Sequence, residues 1–286
     1  MSDRVLPTFF LCGAPKAGTT SLYEYCAEHP EACMSRPKET GFFFENYEKG
    51  IDWFSETHFS HYQGEEAIGE ASAGNMMHRE VAPRIREHCP EARLIFVLRD
   101  PVERVWSHYR FDINVGSLPP TTDFSELIRD ESNEWREIMI ELGMYRDQLA
   151  NYAEHFNREQ MRVFLFRDFV EDTDRVVRRL FDFIGVDPEA DVATGKTHNE
   201  TSHLTNEGLY RAFYHVWGPI KSALPETTVE RLFGLRSAVR GLFFRSGGEE
   251  EKPSMKEADR RYLSEIYKQP NARLEKWLES DLSHWT

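Results

Sequence analysis

Residues 13–20 read Gly-Ala-Pro-Lys-Ala-Gly-Thr-Thr, directly after the apolar run Phe9-Phe10-Leu11-Cys12. Two glycines bracketing four residues at the end of a buried strand let backbone N–H groups turn inward. A helix beginning near Thr19 adds the partial positive charge of its N-terminus, so the loop is built to hold an anion. Its length is that of the nucleotide-triphosphate loop GxxxxGK[ST], but Thr19 occupies the lysine position and Lys16 stands inside the turn. A lysine after the last glycine reaches β- and γ-phosphates, whereas one inside the turn sits beside a group nearer the loop. The spacing therefore points to a two-unit anhydride rather than a triphosphate. The plain alternative is a glycine-containing turn with Lys16 in solvent. Further along, Arg99 ends the apolar run 93–98, where an unpaired guanidinium is costly, and Ser107 follows two turns into the next segment. Together they can grip a second phosphate; for Arg99 alone the alternative is a strand-end salt bridge.

These residues need elements to hold them. The run 7–13 predicts a short buried strand, and 19–29 a helix with Leu22, Tyr25 and Cys26 on one face. Residues 42–62 are aromatic-rich and irregular, and 82–88 predict a short helix. The stretch Arg-Leu-Ile-Phe-Val-Leu at 93–98 is the clearest buried strand. A helix should follow, with Asp100 as N-cap, Pro101 in the first turn and Glu103 placed as in a capping box. The region 112–145, with Pro119-Pro120, reads as an excursion before a helix over 144–155. A second buried strand (161–166), a helix (174–184) and closing helices (257–282) complete the pattern. Residues 216–244 read as an amphipathic helical pair and 246–253 as a loop or linker, so that 216–255 forms a second excursion. Strands alternating with helices predict an α/β fold: one three-layer domain over 1–286, with a mostly parallel central sheet flanked by helices and its ligand at the carboxyl ends of the strands.

Composition bounds the partners. The chain has 286 residues, 40% of them hydrophobic, enough for a substantial core. With 49 acidic against 35 basic residues the net charge is −14, which disfavours nucleic acid and other polyanions unless a strong local patch exists. Four cysteines without CxxC spacing predict reduced thiols, with neither disulfide nor zinc. The start lacks the length of apolar run and the positive charge of a signal peptide, and no apolar run approaches a membrane span; the expectation is a cytoplasmic protein.

The stretches PKAGTTSL and RLIFVLRDPVERVWSHY together resemble the paired 5′-phosphosulfate and 3′-phosphate motifs of sulfotransferases that use 3′-phosphoadenosine 5′-phosphosulfate (PAPS). The likeness is to the branch that includes heparan sulfate sulfotransferases and single-domain bacterial enzymes. RPKETGFFFENYEKGIDWF (36–54), GMYRDQLANYAEHF (143–156) and LSEIYKQPNARLEKWLESDLSHW (263–285) extend it over nearly the whole chain. The resemblance implies the P-loop-like sulfotransferase fold and transfer of a sulfuryl group from PAPS to an acceptor hydroxyl, with the bisphosphate PAP as product and no metal. It implies that Lys16 contacts the 5′-phosphosulfate, that Ala17, Gly18, Thr19, Thr20 and Ser21 complete the cradle, and that Arg99 and Ser107 hold the 3′-phosphate. Lys196 falls near a late loop closing over the nucleotide.

Glu39 matches the glutamate that serves as general base in the glycan-modifying branch. Burial beside Phe42, Phe43 and Phe44 would poise it near neutral pH; the alternative is a solvated partner of Lys38. His198 and His203 are other candidate bases, or surface residues. Glu70 and Phe42 are assigned to the acceptor side, whose pocket is expected from 36–75 and 112–145. Two departures from the pattern stand out: Ala17 where a second glycine is common, and Ala71 where glycan-modifying relatives often carry a lysine. The second, with the acidic net charge, favours a neutral sugar, a lipid headgroup or a natural-product hydroxyl over a heparan-like polyanion. Two rival readings remain: a P-loop kinase or NTPase with Thr20 and Asp100 on magnesium, and a nucleotide-binding relative without turnover.

Overall fold

The computed structural model describes residues 4–194, 203–204, 244–245 and 254–285. Five strands, β1 (Phe9–Gly13), β2 (Ala32–Met34), β3 (Ala67–Ala71), β4 (Arg93–Leu98) and β5 (Met161–Leu165), form one sheet in the order β2-β3-β1-β4-β5. Every neighbouring pair is parallel. β1 and β3 are buried along their whole length and β4 at all but its first residue, as expected of a parallel sheet covered on both faces. From β1 the chain first builds β2 and β3 on one side and then crosses to β4 and β5 on the other, which puts the ligand crevice of such a sheet beyond the carboxyl end of β1.

Ten helices accompany these strands among the described residues: α1 (Thr19–Glu28), α2 (Ile51–His58), α3 (Val81–His88), α4 (Pro101–Val115), α5 (Phe124–Leu127), α6 (Glu134–Glu141), α7 (Tyr145–Ala153), α8 (Phe166–Glu171), α9 (Thr173–Ile184) and α10 (Glu257–Leu278). α1 lies between β1 and β2 in the chain and α3 between β3 and β4, because strands that run parallel in one sheet require long crossovers. The α/β class, the flanked parallel sheet and the strands β1 and β4 agree with the sequence; β5 forms where expected, but as an edge strand it is buried only at Met161 and Phe164.

Three features differ. β2 has only three residues, and β3, Ala-Ile-Gly-Glu-Ala, carries a glycine and a glutamate where a buried strand is expected to be apolar. Gly69 is required there: a Cβ would lie 2.3 Å from the Phe9 ring and 2.4 Å from the Met34 sulfur. The stretch read as irregular contains α2, whose Phe54 joins Phe42, Phe43 and Phe59 in a buried aromatic cluster. Asp100 does cap α4, accepting from the Val102 N–H at 2.8 Å, but Glu103 departs from the capping-box role and faces the guanidinium groups of Arg99 and Arg260.

The chain divides into two compact units, Met1–Val105 with Ile138–Asn199 and Arg260–Thr286, and Trp106–Glu137 with Glu200–Asp259. The first holds the five-stranded sheet. In the second, Trp106, Tyr109 and Phe124 pack ring on ring, Trp135 donates to the Asp112 carboxylate at 2.7 Å, and Arg129 pairs with the buried Asp259 at 2.6 Å. A two-residue antiparallel pair joins His203–Leu204 to Phe244–Arg245. The amphipathic pair, the linker, Lys196 and His198 lie outside the described residues. So does the side chain of His203.

Candidate active site

The loop after β1 starts with a close approach. Gly13 has φ 146°, and a Cβ there would meet the Ala73 carbonyl at 2.8 Å and the Met76 Cβ at 2.9 Å. The Ala14 N–H then donates to the Val97 carbonyl of β4 at 2.8 Å, fixing the loop across two strands. Gly18, at φ 88°, opens α1 in the left-handed region; a Cβ would fall 2.9 Å from the Phe169 ring. Ala17 is fully buried, so the smallest side chain after glycine fits at this departure from the family pattern. No side chain caps α1 and its first turn holds no acidic residue, which leaves the first turn's N–H groups and the helix dipole suited to an anion. Thr19 and Ser21 are buried, and Thr20 is half-buried.

Lys16 is half-buried and sits at φ 66°. An L-residue in this region is disfavoured, and such backbone persists where the surroundings over-determine it. One determinant is Arg99. Its Nη1 donates to the Lys16 carbonyl at 3.2 Å, its Cζ lies 4.8 Å from the centre of the Phe166 ring, and its Nη2 is 3.8 Å from Glu103. The Tyr145 hydroxyl donates to the Arg99 carbonyl at 2.9 Å. Burial lowers the pKa of this guanidinium, but an arginine remains a cation. The sequence alternatives for Arg99, anion site or strand-end ion pair, thus meet in one geometry: the ion pair is long, and the side chain is joined to the loop that carries Lys16. Ser107 is half-buried on α4, in the second unit.

Glu39 is the second strained residue, at φ 61° on the loop after β2. Its N–H donates to the Ala71 carbonyl at the end of β3, and its Oε2 accepts from the Ala73 N–H, both at 2.8 Å. Oε1 pairs with Lys38. The side chain is 48% exposed, so the expected shielding by the three phenylalanines is not present. Phe42 and Phe43 are fully buried, turned into the aromatic cluster, and Phe44 stacks on His78 at 4.6 Å. Phe42 accordingly has no surface to offer an acceptor; its ring gains more by stacking on Phe54 at 4.4 Å than by facing water.

Glu70 is also fully buried. Its two oxygens accept from Thr40 Oγ1 at 2.7 Å, Ser72 Oγ at 2.5 Å and Asn75 Nδ2 at 2.9 Å, and burial raises its pKa despite these bonds. The expected contact with an acceptor is therefore corrected to an internal one: Glu70 ties the Thr40 loop to the turn Ala73–Met76, the two segments that hold Glu39. Thr40, Ser72 and Asn75 were not foreseen. The only trace in the sequence is a carboxylate among small residues in Gly-Glu-Ala-Ser-Ala-Gly-Asn.

The turn Ala73–Met76 links the parts. It touches Gly13 at the root of the Lys16 loop and holds the Glu39 carboxylate, and with Met76 it enters the wall of a cavity of about 420 Å³. Met77, Leu142 and Met144 supply apolar lining, Arg79 and Arg146 two cations, and Glu141, Asp147 and Glu154 three carboxylates. Asp100, the magnesium ligand of the kinase reading, is committed to capping α4.

A family model described as a sulfotransferase domain matches residues 6–277. The membrane-associated sulfotransferase kil1 of Dictyostelium discoideum is 36% identical over 135 residues, 45% of this chain and 28% of that protein. Mouse heparan sulfate glucosamine 3-O-sulfotransferase 3A1 is 29% identical over 190 residues, 64% of this chain and 47% of that one. The chain thus spans less than half the length of these curated relatives. Among solved structures, a sulfotransferase from Alicyclobacillus acidocaldarius aligns with a TM-score of 0.70 at 24% identity over 98% of this chain and 99% of that one. Mouse sulfotransferase SULT7A1 complexed with PAP aligns at 0.50 and 13% identity, over 94% and 89%. Both share the fold. A loop that replaces the triphosphate lysine with Thr19, an arginine from the neighbouring strand joined to it, and a match over residues 6–277 lead to one conclusion: the chain belongs to the sulfotransferase family.

Proposed function

We propose that the chain, as one domain, transfers the sulfuryl group of PAPS to an acceptor hydroxyl by in-line displacement. The observation that carries this reading is the placement of Lys16 and Glu39. They are two of only three non-glycine residues with positive φ among the described residues, both lie on loops beyond the carboxyl ends of parallel strands, and both are tied to the turn Ala73–Met76 or its contact Gly13. Backbone strain held in this way concentrates at functional sites.

In the reaction, an acceptor oxygen forms a bond to sulfur while the bond from sulfur to the bridging oxygen of the 5′-phosphate breaks. The hydroxyl proton passes to Glu39, and the electron pair of the broken bond stays on the phosphate, where the Lys16 ammonium and the N–H groups of the α1 terminus stabilise the developing charge. Arg99 holds the 3′-phosphate of PAPS and of the product PAP, and the resemblance of the 93–109 stretch to the 3′-phosphate motif assigns Ser107 to the same phosphate. The PAP bound by SULT7A1 supports this nucleotide choice.

The acceptor enters by the cavity beside the turn Ala73–Met76. Its apolar lining and its balance of two cations against three carboxylates suit an uncharged hydroxylated ligand, a sugar, lipid headgroup or natural product, and not a nucleic acid or heparan-like polyanion. Four free, buried cysteines fit a reducing, cytoplasmic setting. Among the described residues no helix is long and apolar enough to cross a membrane.

The test is transfer from labelled PAPS to a panel of acceptors, read by mass spectrometry, with Glu39→Gln alongside. The variant is expected to lose roughly 10²- to 10⁴-fold in turnover, the usual contribution of a general base, while PAP binding by calorimetry stays within a factor of two or so of the parent. Unchanged turnover would remove Glu39 from the chemistry. Nucleotide binding without transfer to any acceptor would favour the non-catalytic reading.

A further inference from the structure

Among the described residues β5 forms an outer edge of the sheet, with β4 between it and the strand that carries the Lys16 loop. Beside it runs a groove of about 290 Å³, walled by β5, by Arg158 just before it, by Arg179 of α9 and by Leu278 and Ser280 at the end of α10. Three guanidinium groups line the groove, those of Arg158, Arg162 and Arg179, against the single carboxylate of Glu159. All three arginines are exposed. Each lies over an aromatic face: Arg158 over Trp277 at 4.4 Å, Arg162 over Phe183 at 4.9 Å and Arg179 over Phe164 at 5.8 Å from guanidinium carbon to ring centre.

What sets them apart is that three arginines without acidic partners gather on one groove. Among the described residues, none of the three forms an ion pair or a hydrogen bond through its side chain. Arg4 pairs with Asp52, Arg167 with Asp168, and, on α9 itself, Arg175 with Asp172 and Arg178 with Glu189; Arg36, Arg79, Arg93 and Arg273 also form no ion pair among the described residues, but they do not line this groove. In a chain where acidic residues outnumber basic ones 49 to 35, adjacent arginines left without carboxylates run against composition. Ring stacking engages the face of a guanidinium and leaves its forked N–H edge for a ligand. Held in this way, the group loses less freedom on binding and matches two oxygens of a tetrahedral anion at once.

We propose that this groove binds the sulfate or phosphate ester group of a second ligand, at a site separate from the loops beyond the carboxyl ends of the strands. The site does not depend on the proposed transferase chemistry. The free ion and an ester carried on a sugar share the same oxyanion, and the probes separate them.

The experiment titrates ¹⁵N-labelled protein with inorganic sulfate, inorganic phosphate, glucose 6-sulfate and glucose 6-phosphate, with glucose as the uncharged control, and follows the arginine Nε–Hε resonances. Saturable shifts are expected at three arginine signals, identified by their loss in the single variants Arg158→Gln, Arg162→Gln and Arg179→Gln. Each single replacement is expected to weaken binding about tenfold, the effect of one charge-assisted hydrogen bond. Tighter binding of the glucose esters identifies a sugar-borne group, and equal binding the free ion; either supports the site. Lys16→Ala is expected to leave these shifts in place. Binding that survives in all three single variants and disappears in Lys16→Ala would assign the anion to the strand-end loop and overturn the proposal. Shifts that rise linearly without saturation for every probe would overturn it as well.

Discussion

Lys16 and Glu39 share a backbone conformation that neither side chain favours, and each is held in it by specific partners. The Arg99 guanidinium grips the Lys16 carbonyl. Lys16→Ala is expected to lower turnover by roughly 10²- to 10³-fold, the loss typical of one charge-stabilising donor at a leaving group. Steady-state rates at saturating PAPS decide this, and an unchanged rate would take Lys16 off the leaving group. Glu70 belongs to the same scale but acts at one remove. Its carboxylate offers acceptors to three donors, and a glutamine would turn one oxygen into an NH₂ group from which a Thr40 or Ser72 hydroxyl or a reversed Asn75 amide would have to accept. Glu70→Gln is expected to cost about 1–3 kcal/mol of stability, visible as a lower melting temperature, and to impair transfer through the displaced Glu39 loop. An altered KM with full stability would instead mean that Glu70 touches the acceptor.

At the scale of elements, α4 begins on a carboxylate whose ionisation is costly. Burial is the largest influence on Asp100 and raises its pKa from 3.8 to about 6, outweighing the backbone N–H bonds of the cap. A carboxyl whose folded pKa is raised contributes stability that is full below the unfolded value and is lost as pH rises through the folded one. Here that window runs from about pH 4 to about 6. Asn at this position keeps an acceptor for the Val102 N–H but does not titrate. The stability difference between Asp100→Asn and the parent is therefore expected to shift in favour of the variant by on the order of 2–3 kcal/mol between pH 4 and 7, as read by urea unfolding across that range. A constant difference would mean that Asp100 ionises freely in the fold. The cap itself was legible in Arg-Asp-Pro, since Asp before Pro at the end of an apolar run has few other uses. β1 and β4 were legible for a similar reason: continuous apolar runs bounded by breakers require burial on both faces; β5 was legible as a strand, but at the sheet edge it is buried only at Met161 and Phe164. β2 and β3 were not, because three residues show no period and because Gly69 and Glu70 serve neighbours that only pairing brings near.

For the whole molecule, the sheet is both scaffold and core. Phe96 of β4 is fully buried and meets the Tyr152 ring edge-on at 5.1 Å, while the Tyr152 hydroxyl donates to the Asn75 carbonyl at 2.8 Å. Core packing thus reaches the turn that holds Glu39. Phe96→Ala is expected to cost about 3–5 kcal/mol, measured by chemical denaturation, and a loss below about 1 kcal/mol would mean that this contact is not part of the core. The residues themselves determined the class of fold, the glycine-bounded loop between the first strand and helix, and the family, because apolar runs, glycines and a displaced lysine constrain a chain locally. Tertiary structure alone decided that Phe42 is core, that Glu70 braces rather than binds, and that Arg99 reaches the loop 83 residues before it. The physical reason is register: parallel pairing across β3, β1 and β4 brings distant loops to one end of the sheet, and no pattern within any one segment records which neighbours it will meet there.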